Sequence, residues 1–109
     1  MAILHALSGQ PIDIHPVSDD PQGARTVALF KTDELEVIRL VLAAGKVFPP
    51  HRVAGEVTIQ CIRGKIEITC EGSAQLLRAG QLMYLSGGVQ HSVLGLEDAC
   101  ALLTVVLRK

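Results

Sequence analysis

The sequence predicts an all-β domain closed into a small barrel or sandwich. Short runs rich in Val, Ile, Leu and Thr recur about every eight to twelve residues, separated by Gly, Pro or paired acidic residues. No run keeps a 3.6-residue apolar period over the length a helix needs. Apolar residues are 49% of the chain and aromatics only 3%, with no Trp, so one core must be filled by Val, Ile, Leu and Ala, a composition that suits strands.

The elements follow in order. Residues 12–15 (IDIH) alternate and can form a first edge strand. Residues 16–24 (PVSDDPQGA) gather two prolines, a glycine and an Asp pair and read as a loop. Residues 25–31 and 35–43 are β-rich runs separated by Thr32, Asp33 and Glu34, which makes a hairpin the natural pairing. Pro49 and Pro50 cannot donate to a ladder; they are expected to end the preceding strand and hold their neighbours extended. EVTIQCI, KIEITC, QLLR, QLMYL, HSVLGL and CALLTVVL complete a set of about ten strands, and LLTVVL reads as a buried one. A chain of 109 residues makes one domain, 1–109, with 1–24 as N-terminal edge strand and loop and 25–109 as the barrel.

Charge and cysteines bound the function. Ten Lys and Arg stand against eleven Asp and Glu, with no basic run, so no footprint for a phosphate backbone exists and nucleic acid is not an expected partner. Cys61, Cys70 and Cys100 lack CxxC spacing and read as reduced, buried thiols of a cytoplasmic protein. The opening MAILHALSG has no positive n-region, and no apolar run is long enough to span a bilayer, so neither secretion nor a membrane partner is expected.

Two glycine-framed segments carry the chemistry, residues 45–64 (GKVFPPHRVAGEVTIQCIRG) and 80–95 (GQLMYLSGGVQHSVLG), each with one histidine, His51 or His91. The fifteen residues between them leave room for a compact hairpin and not for a helix. Gly45, His51 and Gly64 fall on the spacing of the first cupin motif, and Gly80, Gly88 and His91 on that of the second. On these positions, which span about half the chain, the sequence resembles a small single-domain cupin, and the resemblance implies a double-stranded β-helix, or jelly-roll barrel. It also implies a divalent-metal site of three imidazoles and a carboxylate. Here Val53 stands at the position of the second histidine, Val57 at that of the glutamate, Ser86 at that of the proline and Gly95 at that of the asparagine. No metal cofactor is therefore expected; His51 and His91 remain weak candidates for Ni, Zn or Fe. Small cupins of this kind usually pair, and the surplus of apolar residues on both faces of several strands gives a homodimer a physical reason.

If His51 points inward, as the resemblance implies, alternation carries Val53 with it, and the family's geometry adds Val57, then Ile59 and Cys61 in step. His91 brings Val93. The expected ligand pocket is His51, Val53, Val57, Ile59, Cys61, His91 and Val93, with Tyr84 and Met83 near its mouth. Cys61 could add a thiolate ligand, although burial in apolar surroundings would hold it protonated. Glu56 could replace the missing carboxylate only through a β-bulge. His5 and His15 read as solvated. The reading favoured by these features is a module that binds a small, largely apolar or aromatic molecule oriented by the two histidines. The alternatives are a metal-dependent oxygenase, a metal-free isomerase or lyase with a histidine base, and a sensor or structural subunit with a vestigial pocket.

Overall fold

The computed structural model describes residues 6–14 and 26–107. Among them are nine strands and no helix: β1 (Val27–Lys31), β2 (Leu35–Leu42), β3 (Val47–His51), β4 (Val57–Arg63), β5 (Lys65–Cys70), β6 (Ser73–Arg78), β7 (Leu82–Leu85), β8 (His91–Gly95) and β9 (Ala99–Val106). They form two sheets, ordered β1-β2-β9-β4-β7 and β3-β8-β5-β6, with every pairing antiparallel. The all-β double-stranded architecture expected from the sequence is the one observed.

Local chemistry sets the turns. Thr32 closes the expected β1–β2 hairpin: its hydroxyl accepts from the Glu34 and Leu35 amides at 3.1 and 3.0 Å, and its own amide donates to the Leu35 carbonyl at 2.7 Å. Between β5 and β6 only Glu71 and Gly72 intervene, at φ of 51° and 81°, which is the doubly left-handed pattern of a type I′ turn. This is the compact hairpin predicted between the histidine segments. At Gly64 (φ 77°) the chain passes from β4 in one sheet to β5 in the other, and a Cβ there would strike the Asp98 carbonyl.

Two expectations are corrected. Residues 12–14 form no strand, and His15, like His5, lies outside the described residues. The preceding strand ends at Leu42 and the prolines are extended, as expected, but they do not stay out of the sheet: Pro49 and Pro50 lie within β3, where the register with β8 jumps from Phe48↔Val93 to His51↔His91. Two residues there oppose the single Ser92, a bulge on an edge strand, which is the place where a missing N–H costs no ladder bond.

The core lies between the sheets. Alternation along β2, β4 and β9 sends Leu40, Ile59, Cys61, Ala101 and Leu103 inward to meet Ile66, Ile68 and Val93 from the opposite sheet, all 1% exposed or less. Each large aliphatic side chain so enclosed contributes about 1.5–3 kcal/mol. β9, the LLTVVL strand, is central in its sheet and buried at every second residue, as expected.

Candidate functional site

His51 ends β3 and His91 begins β8, and the two are direct cross-strand partners. They therefore stand on adjacent, hydrogen-bonded strands of one sheet, although forty positions separate them in sequence. The ring centroids are 4.3 Å apart with planes tilted by 58°, and Phe48 packs edge-on against His51 at 4.9 Å. Each imidazole is anchored in the same way. His51 Nδ1 lies 3.3 Å from the Pro49 carbonyl and His91 Nδ1 3.1 Å from the Val89 carbonyl, in both cases the residue two before it. A carbonyl can only accept, so Nδ1 carries a proton in both rings, and in the neutral form of either the lone pair is at Nε2.

The two differ in exposure. His91 is 1% exposed, and its Nε2 has no hydrogen-bond partner. Burial lowers its pKa; the Val89 carbonyl works against that, and the nearby His51 adds to it. His51 is half-buried and forms part of the wall of a cavity of about 390 Å³.

That cavity lies at one end of the barrel. From the five-stranded sheet it takes Glu36, Val105 and Val57, one row across β2, β9 and β4, with Ile38 and Leu103 from the next row. Phe48 and His51 face them, and Val53, Ala54 and Gly55 form the rim. Gly55 is required by packing, since a Cβ there would collide with the Val106 carbonyl.

The predicted pocket residues thus divide. His51, Val53 and Val57 line the cavity. His91 stands against His51 in the enclosed interior. Ile59, Cys61 and Val93 face inward as expected but are fully buried in solid core, closed off by Ile66 and Ile68. Tyr84 is a correction: it pairs with Thr58, on the outer face of the sheet, and is 59% exposed, while its neighbour Met83 turns inward opposite Ile59. Cys61 offers no thiolate, because burial raises its pKa and its thiol donates to the Arg63 and Gly64 carbonyls at 3.6 and 3.5 Å. Glu56 is exposed, and the β4–β9 register is regular from Val57 to Cys61, so no bulge turns it inward. Glu36 was missed from the sequence. The signal was there: Glu36 is in phase with Ile38, Leu40 and Leu42 on the inner face of β2.

No protein-family model and no curated protein sequence matches the chain. Solved structures do. A conserved protein of unknown function from Streptococcus pyogenes superposes over 100% of this chain and 96% of its own, with TM-score 0.76 and 19% identity. A cupin superfamily protein from Desulfitobacterium hafniense matches over 99% and 100%, with TM-score 0.76 and 13% identity. An RmlC-like cupin family protein with a double-stranded β-helix fold, from Methanocaldococcus jannaschii, covers 94% of each chain at TM-score 0.75 and 15% identity. The fold is the cupin barrel.

A complete cupin metal site does not fit the residues of this barrel. Val53 and Val57 line the cavity with methyl groups at two of the four implied donor positions. Among the described residues no three His, Cys, Asp or Glu side chains gather closely enough to hold an ion. Two imidazoles fall short of the three protein ligands that a catalytic zinc or a facial-triad iron uses.

Proposed function

We propose that this cupin barrel is a binding module, which takes a small, largely apolar or aromatic molecule into the cavity beside His51. The observation that supports the reading is the pairing of apolar cavity walls with His51, whose Nδ1 is held by a backbone carbonyl and whose ring packs against the similarly held His91. A pocket with mostly apolar lining and a few convergent polar groups is the ordinary form of a small-molecule site, and about 390 Å³ is within the usual range. Three free cysteines support a reducing, cytoplasmic setting, and among the described residues no helix is long and apolar enough to cross a membrane. The apolar residues exposed on the outer sheet face, Leu82 and Tyr84, support pairing as a homodimer.

One observation favours a second reading. His51 reaches the cavity with a free Nε2 and an anchored Nδ1, the arrangement of a general base, so a metal-free isomerase or lyase is the enzymatic alternative. Native mass spectrometry of protein expressed without a tag, before and after mild unfolding, tests the binding reading. A non-covalent small organic molecule retained by the parent and lost in His51→Ala is the expected result. A parent that carries nothing, and binds no apolar probe in titration, would overturn it.

A further inference from the structure

With His51 in its neutral form, the side-chain polar atoms that line the cavity are all acceptors: the Pro49 carbonyl takes the Nδ1 proton, so the ring's lone pair is at Nε2. Behind it His91, held in the same tautomer, encloses a second Nε2 that no group in the protein satisfies. Across the cavity stands Glu36, on the inner face of β2 among Ile38, Val105 and Leu103. No Lys, Arg, Ser, Thr, Asn or Gln side chain lines the space. Lys31 lies opposite Glu36 on the edge strand β1, yet it does not line the cavity.

We infer that the ligand is a small organic amine, with an apolar or aromatic body against Val57, Phe48 and Leu103 and an ammonium group paired with Glu36. This deepens the binding reading and rests on it. A carboxylate beside aliphatic walls loses part of its hydration unless a cation meets it, and an ammonium supplies both the charge and the N–H donors that an acceptor-only wall lacks. An anionic ligand of the same shape would set its charge against Glu36 and find no side-chain donor. A hydroxyl could satisfy an imidazole Nε2 but would bring the carboxylate no charge from within the cavity. The chemistry thus ranks amine over alcohol over acid.

The test is calorimetric titration, with chelator present throughout, of the full chain with three probes of one shape: 2-phenylethylamine, 2-phenylethanol and 3-phenylpropanoate. The amine should bind at least about tenfold more tightly than the alcohol, and the acid not at all. Glu36→Gln should bring the amine down to the alcohol's affinity and leave the alcohol unchanged. Circular dichroism of the variant checks that the barrel is intact, and Glu36→Asp, which keeps the charge, should retain a preference for the amine. Equal binding of amine and acid, or an amine affinity unmoved by Glu36→Gln, would overturn the inference while leaving a neutral apolar site standing. Amine binding that appears only without chelator would overturn it too, by assigning recognition to an ion. Failure of all three probes would remove the inference together with the binding reading.

Discussion

Replacing His91 by leucine separates a histidine kept for a ligand from one kept for packing. The side chain makes one hydrogen bond, Nδ1 to the Val89 carbonyl at 3.1 Å, worth about 1 kcal/mol net. Against that, its enclosed Nε2 without a partner costs about 1–3 kcal/mol. His91→Leu removes both and keeps an apolar side chain of similar size between its cross-strand partners His51 and Cys70, so at about pH 8 the variant should be equal to the parent or up to about 2 kcal/mol more stable. The acid side adds a second signature. Burial holds the folded-state pKa of His91 below its unfolded value, so the unfolded chain takes up the proton first as pH falls. Stability from this group is complete above about pH 6.5, declines by up to about 1.4 kcal/mol per pH unit below that, and levels off beneath the folded pKa. The variant should lose that share of the slope. Urea unfolding followed by far-ultraviolet circular dichroism suits a chain without Trp, measured from about pH 8 to about pH 5. A variant destabilised by more than about 2 kcal/mol at pH 8, or one that keeps the parent's acid slope, would show that Nε2 is satisfied in solution and that His91 serves the core.

Other expectations follow from the same geometry. The untagged parent should carry well below one divalent ion per chain by elemental analysis, and the double substitution Val53→His with Val57→Glu should gain one; stoichiometric metal in the parent, abolished by His51→Ala, would reverse the fit argument. Sedimentation should find a particle of twice 11.6 kDa, and Tyr84→Arg, on the exposed outer face, should halve it; a dilute-stable monomer would remove the homodimer. Glu71→Asn, at φ 51° in the β5–β6 turn, should raise stability by up to about 1 kcal/mol, because Asn tolerates the left-handed region better than Glu; no change in the unfolding midpoint would mean that the turn is not strained.

Much of the fold was legible because its signals are local. Gly64, Gly80 and Gly88 all adopt positive φ, as turn-forming punctuation should, and strict alternation along β4 put Val57, Ile59 and Cys61 on one face before any pairing was known. Tyr84 failed for a physical reason. β7 has four residues with apolar side chains on both faces, so its own sequence has no phase, and only the pairing Thr58↔Tyr84 shows which side is out. The depth of the cavity was equally hidden. Alternation says that Ile59 and Cys61 point inward, but whether they meet open space or Ile66 and Ile68 depends on how the second sheet closes over them. Pro49 and Pro50 were read for their missing donors; their survival in β3 depends on that strand being an edge, which no single strand reveals.

The missing metal donors and the acceptor character of the cavity have one cause. Valines at positions 53 and 57 make the surroundings of the histidines apolar where the resemblance would supply an imidazole and a carboxylate. Apolar walls raise the desolvation cost of any ion, and the same desolvation disfavours the charged form of His91. A neutral imidazole whose Nδ1 donates to a backbone carbonyl keeps its lone pair at Nε2. An apolar lining at these two positions therefore goes with a His91 that accepts at Nε2 and whose cationic form is disfavoured. Glu36 adds a further acceptor to the same lining. Restoring the donors by Val53→His with Val57→Glu should consequently trade one property for the other, with metal gained and amine selectivity lost in the same protein.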